Sequence, residues 1–172
     1  GLKVSEIIRR IDSDTNLVGI SNLFSFAYPA VEVLCQEIRK AYPEKKIVLG
    51  GPHPSALYDE ILKNVPEVDF VAIGEGEESL LGLVNYLDGK LELNELSGLA
   101  TRDKSGNIIV LNSSKRIKNL NQDNIPFPAR HLLPMENYIQ AQEGHGPSSG
   151  RWTSILSSRG CPYGCPFCES RR

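Results

Sequence analysis

The stretch "IVLGGPHPSALYDEILKNVPEVDFVAIGEGE", residues 47–77, decides the fold. An unbroken apolar run ends in the pair Gly50-Gly51. Leu57, Ile61, Leu62 and Val65 then mark a helix, and a second apolar run ends in the loop Gly74-Glu75-Gly76. Apolar residues at helical spacing bury one face, whereas a continuous apolar run bounded by turn residues suits a strand covered on both sides. Strand, glycine turn, helix and strand make a βαβ unit, whose crossover is right-handed.

The alternation continues in both directions. Upstream, Val4, Ile7, Ile8 and Ile11 predict a helix, and "LVGIS" at 17–21 a strand. Val31, Leu34, Cys35, Ile38 and Tyr42 predict a second helix, with Pro29 near its start, where a missing N–H costs little. Downstream, Leu80, Leu81, Val84 and Leu87 mark a fourth helix. The strand centres lie roughly 23 to 30 residues apart, the size of a βαβ repeat. The expected fold class is therefore α/β, an open parallel sheet flanked by helices. "GLATRDKSGNIIVLN" at 98–112 reads as a β-hairpin turning near Gly106 and closing the domain.

A chain of 172 residues suffices for one domain plus a piece of another. The net charge of −2 and an ordinary apolar content exclude a disordered chain and give no nucleic-acid-binding face. Lys115-Arg116-Ile117-Lys118 reads as solvated surface. No run of about eighteen apolar residues and no signal-peptide pattern occur, so a soluble cytoplasmic protein without membrane association is expected. From Asn119 to Gly150 the chain is rich in Pro, Gly and Ser and reads as a linker. "WTSILSS" at 152–158 reads as a new strand and "RGCPYGCPFC" at 159–168 as the loop after it. The expected organisation is an α/β domain at 1–118, a linker at 119–150, and the start of a second domain at 151–172.

Three of the four cysteines, Cys161, Cys165 and Cys168, fall in one C-x-x-x-C-x-x-C loop. Clustering of this kind does not resemble a secreted disulfide framework and in a reducing compartment more often binds metal. Pro162, Gly164 and Pro166 keep the loop out of regular structure. Structural zinc takes four ligands. A cubane iron–sulfur cluster also normally takes four thiolates, so three would leave one iron open to a chelating small molecule. A zinc loop or a redox-active thiol patch is the competing reading. Cys35, on the apolar face of a helix, reads as core.

"CPYGCPFC" after a strand and an Arg-Gly pair resembles the cluster loop of the radical S-adenosylmethionine superfamily. The resemblance implies a [4Fe-4S] cluster on Cys161, Cys165 and Cys168, S-adenosylmethionine on the open iron, and Phe167 near the adenine. Electron transfer then cleaves the sulfonium to a deoxyadenosyl radical. Ligands of open parallel sheets bind beyond the carboxyl ends of the strands. Ser21-x-Leu23 and Gly50-Gly51 stand at two of those ends and resemble the S-x-L and G-G elements of cobalamin-binding domains. "GEGE" resembles the loop that follows them in cobalamin-dependent radical S-adenosylmethionine enzymes.

The ordered set implies a Rossmann-like cobalamin-binding domain, a linker, and the first strand of a radical S-adenosylmethionine barrel. Ser21, Leu23, Gly50, Gly51, Gly74, Glu75 and Gly76 would then contact cobalamin. The competing readings are a tight turn for Gly50 and Gly51, and a helix N-terminus for Glu75, Glu77 and Glu78. His53 lies on the loop that would meet the nucleotide tail, so it is not expected to ligate cobalt; His131 and His145 read as surface. The resemblance further implies methyl transfer to an unactivated carbon, a small-molecule substrate, and an electron donor such as flavodoxin or ferredoxin. The family's first strand and its D-x-H-x-x-G loop have no counterpart here, nor has the barrel beyond the cluster loop. The expectation is an inactive fragment in which no catalytic residue can be assigned. A non-catalytic corrinoid-binding module and a zinc-stabilised interaction domain are the alternatives.

Overall fold

The computed structural model describes residues 2–112, 126–141, 151, 153, 155, 163, 165 and 166. The chain divides into two compact units, Gly1–Ile117 and Lys118–Arg172. In the first, the elements run α1 Val4–Ile8, β1 Leu17–Ser21, α2 Tyr28–Ala41, β2 Lys46–Gly50, α3 Pro52–Asn64, β3 Phe70–Ala72, α4 Gly76–Leu87, β4 Leu99–Arg102 and β5 Ile108–Leu111. In the second, a seven-residue helix, α5 Met135–Ala141, interrupts the stretch expected to be plain linker. None of the described helices is long and apolar enough to cross a membrane.

The sheet has the order β1-β2-β3-β4-β5. β1, β2 and β3 are parallel, with Ser21 opposite Gly50 and Val48 opposite Phe70. β4 and β5 form the expected antiparallel hairpin. Its turn is closed by Asp103, whose Oδ1 accepts the amides of Ser105 and Asn107, while Gly106 takes φ 85°. The fold is thus the Rossmann-like open α/β sheet that the sequence predicts, with an antiparallel edge.

Side-chain alternation along the strands separates two cores. Ile47, Leu49 and Val71 pack with Cys35 and Ile38 of α2 and Ile61 and Leu62 of α3. Val48, Phe70 and Ala72 pack on the other face with Leu83 of α4 and with Leu96, Leu99 and Leu111. Helices therefore cover both faces, which is why β2 reads as a continuous apolar run.

Two helical faces differ from the periodic reading. In α4 the buried residues are Ser79 and Leu83, while Leu80, Leu81 and Val84 are exposed. The helix turns Ser79 and Leu83 to the sheet, and Leu87 packs against the same core. In α3, Leu57 leaves helical geometry at φ −119°, ψ 25° and is exposed, so the buried residues are Pro54 before it and Ile61 and Leu62 after it. The first helix ends at Ile8, short of Ile11, although Ile11 still packs against the core.

Charged side chains fasten the amino ends of the strands. Lys45 is buried, and its ammonium donates to the carbonyls of Asp12, Ser13 and Thr15. Asp69 accepts from Arg39, Lys46 and the amide of Ile47. Both clusters lie at the end of the sheet opposite the glycine loops, so the scaffold is fixed at one end and carries its loops at the other.

Candidate functional site

The carboxyl ends of β1, β2 and β3 bring together the residues singled out from the sequence. Ser21 and Gly50 are the last residues of β1 and β2 and face each other across the sheet. Leu23 is exposed in the loop beyond β1. Gly51 joins β2 to α3, Gly74 follows β3 with φ 80°, Glu75 is the extended N-cap of α4, and Gly76 is the first residue of that helix.

The two adjacent glycines are there for different reasons. Gly51 takes φ 101°, ψ 175°, a conformation essentially confined to glycine. A β-carbon there would also collide with the backbone of Asn22, 2.5 Å from its carbonyl oxygen. The turn by itself demands this glycine. Gly50 has no such requirement: a β-carbon at position 50 would meet Ala72 Cβ at 3.8 Å, an ordinary contact. Gly19, two residues before Ser21 and on the same side of β1, also has room, with Val48 Cγ1 at 3.8 Å. Gly19 and Ser21 are exposed and Gly50 is half-buried. These three residues leave an open, small-residue floor on the sheet face that carries α4.

On the opposite face the first turn of α3 meets the neighbouring loops. His53 Nδ1 shares a 2.9 Å hydrogen bond with Ser25 Oγ, and its ring lies 4.6 Å from that of Tyr28. Burial, reinforced by Glu32 and Cys35, pushes the Tyr28 phenol up to about 12. The other ring nitrogen, His53 Nε2, is buried with no hydrogen-bond partner among the described residues. Ser55 Oγ donates to Ala72 O at 3.3 Å and accepts from the Gly74 amide at 3.1 Å. Asn22 is 2% exposed, and its side-chain amide has no hydrogen-bond partner among the described residues. Phe24 and Phe26 stack at 5.5 Å beyond β1 and are exposed.

Sequence reasoning missed Gly19, Asn22 and Ser55. Gly19 carried a usable signal, since it shares the parity of Ser21. Ser55 carried none, because nothing in its sequence position announces a contact with the next strand-end loop.

Of the cluster-loop residues, Cys165 is described and exposed. Cys161, Phe167 and Cys168 lie outside the described residues, as does His145, and so does most of the expected strand at 152–158. His131 is exposed in a short 3-10 turn, Arg130–Leu132. Cys35 is fully buried in the core, as expected.

A parallel sheet with glycine-rich carboxyl ends and an open small-residue floor defines a Rossmann-like domain built to receive a ligand at its strand ends. Residues 2–84 match the family model described as the B12 binding domain. The chain thus carries a B12 binding domain and is similar to cobalamin-dependent radical S-adenosylmethionine enzymes. It is 34% identical over 168 residues to an uncharacterized methyltransferase of Pyrococcus horikoshii, covering 97% of this chain and 34% of that protein. It is 31% identical over 170 residues to an anaerobic magnesium-protoporphyrin IX monomethyl ester cyclase of Rubrivivax gelatinosus, covering 97% and 29%. Its fold matches the cobalamin-dependent S-adenosylmethionine radical enzyme OxsB with a TM-score of 0.59 at 23% identity, over 74% of this chain and 18% of that one. The chain thus spans about a third of the length of these curated relatives.

Proposed function

We propose that this chain is the corrinoid-binding and cluster-loop portion of a cytoplasmic enzyme that uses cobalamin and S-adenosylmethionine together, with methyl transfer to an unactivated carbon as its reaction. The observation that carries the reading is the floor of Gly19, Ser21 and Gly50. Gly19 and Gly50 lie in regular strands with room for a β-carbon, so packing within the domain does not explain their smallness. A bound group lying against the sheet does. The floor falls within residues 2–84, the span of the B12-binding family match.

In this reading the nucleotide tail of cobalamin lies against Gly19, Ser21 and Gly50, with the Ser21 hydroxyl available for hydrogen bonding. Leu23 and the loop Gly74-Glu75-Gly76 rim the opening. Cys161, Cys165 and Cys168 hold a [4Fe-4S] cluster and Phe167 packs near S-adenosylmethionine. The bound cofactors supply one-electron chemistry and a transferable methyl group; the protein positions them and excludes water. A small-molecule substrate and an electron donor of the flavodoxin or ferredoxin type complete the system.

The test is Gly50→Leu in the full-length protein. It should fold with a thermal midpoint near that of the parent and fail to retain cobalamin, followed by visible absorbance after gel filtration. Undiminished retention would overturn the proposed floor. A second reading, radical ring formation without methyl transfer, is favoured by the similarity to the cyclase. S-adenosylmethionine labelled in its methyl group separates the two: label in the product supports methylation, and label left in methionine supports the cyclase-type reaction.

A further inference from the structure

The three strand-end loops are tied together through the first turn of one helix. Gly51 rests against the backbone of Asn22, and the Asn22 amide donates to Gly50 O at 2.8 Å. His53, two residues later, reaches back to the loop after β1 through Ser25 Oγ and the face of Tyr28. Ser55, two residues later again, reaches forward to the loop after β3 through Ala72 O and the Gly74 amide. The turn is itself closed by the Ser55 amide donating to Gly51 O at 3.0 Å.

We infer that His53 and Ser55 are positioning residues that lock the loops after β1 and β3 to α3 and so preorganise the corrinoid site. This inference rests on the proposed function. Several properties of the contacts support it. The Ser55 hydroxyl uses both its donor and its acceptor capacity on backbone groups that flank Ile73, where the chain leaves β3. Gly74 takes φ 80°, so the turn it makes has little intrinsic conformational preference and depends on an external tether. His53 combines a hydrogen bond with a ring contact, so it fixes both the distance and the orientation of the loop after β1. Ser55 Oγ bonds backbone groups, and His53 meets the apolar core through Tyr28 at its edge, a ring contact that His53→Phe keeps. Loss of either tether therefore loosens loops without removing core contacts. Binding to a loosened site costs the entropy of reordering it, which weakens affinity without changing any group that touches the ligand.

The experiment compares the parent full-length protein with Ser55→Ala, Ser55→Thr, His53→Phe and Ser25→Ala. Two measurements are made: amide hydrogen exchange across residues 21–27 and 73–77 without cofactor, and the dissociation constant for hydroxocobalamin by visible titration. Ser55→Ala is expected to speed exchange at 73–77 and weaken cobalamin binding about tenfold, with Ser55→Thr restoring both by keeping the hydroxyl. His53→Phe keeps a ring against Tyr28 but loses the Ser25 bond. It should speed exchange at 21–27, and Ser25→Ala should add nothing further to it. Unchanged exchange and unchanged affinity in Ser55→Ala and His53→Phe, with the parent binding cobalamin normally, would overturn the inference alone. Exchange that rises as expected in a parent that binds no cobalamin would overturn the proposed function and leave the tethers standing as loop locks.

Discussion

The backbone of Gly51 rests on that of Asn22, with no space between them for a side chain: a β-carbon at position 51 would stand 2.5 Å from the Asn22 carbonyl oxygen. One residue earlier, Gly50 has ordinary room, at 3.8 Å from Ala72 Cβ. A glycine pair that reads as one motif is thus a structural residue beside an open one. Gly51→Ala should lower unfolding free energy by about 3 kcal/mol, from a strained backbone together with a backbone clash. Gly50→Ala should leave stability unchanged or raise it by up to about 1 kcal/mol, by restricting the unfolded chain. Urea midpoints of the two variants check this. Equal destabilisation would mean that both glycines serve the turn.

Arg102 secures the carboxyl end of α3. Its guanidinium donates from Nε and Nη2 to Leu62 O, from Nη2 to Val65 O, and from Nη1 to Val68 O. These include carbonyls that the last turn of a helix leaves without partners. Burial pulls the Arg102 pKa down, while Asp69 and Glu67 oppose the shift. Arg102→Met should cost about 3 kcal/mol, since it strands several partly buried carbonyls at once. Arg102→Lys should recover only part of the loss, because an ammonium cannot span the same fork. Recovery of full stability by lysine would refute the fork geometry.

Much of this arrangement was legible in the sequence, and the exceptions have physical causes. β2 and β3 showed as apolar runs because both of their faces are covered. The hairpin showed as two extended runs around Gly106. The rotation of α4 did not show: Leu80, Leu81 and Val84 supply a periodic signal, yet Ser79 and Leu83 are buried. The roles of Lys45 and Arg102 did not show, because their acceptors are carbonyls distant in sequence. The site glycines were legible as a group, but not which of them the backbone requires, since that depends on Asn22 in the loop after β1.

Stability should fall on the alkaline side through two buried acids. Burial, then the charges of Glu67 and Glu32, pushes the Cys35 thiol from 9.0 up to about 12. Burial, Glu32 and Cys35 itself push the Tyr28 phenol from 10.0 up to about 12. Both folded pKa values are raised, so the native state keeps protons that the unfolded chain releases. The stabilisation from these groups is complete below the unfolded values and is lost as pH rises through about 9 to about 12. Unfolding free energy should therefore decline across that window, and Cys35→Ala should make the decline shallower. A flat profile in the parent would contradict the burial of these groups.

The cluster proposal makes a sharper demand on the cysteines, because the four fall into two classes. Cys35 is enclosed by the core, and deprotonating it is strongly unfavourable, so it is neither a metal ligand nor a nucleophile at neutral pH. Cys161, Cys165 and Cys168 share one short loop rich in proline and glycine, and the described member of the three is exposed. Anaerobic reconstitution of the full-length protein with iron and sulfide should give a brown species that becomes paramagnetic on reduction. Cys161→Ala, Cys165→Ala and Cys168→Ala should each lose both the colour and the signal. Cys35→Ala should retain both, because core packing is all it disturbs. A colourless parent carrying zinc would mean that the loop closes a tetrahedral site with a fourth ligand from elsewhere. The B12-binding domain would then stand without radical chemistry, since three thiolates serve that chemistry only if the fourth corner of the cluster remains open.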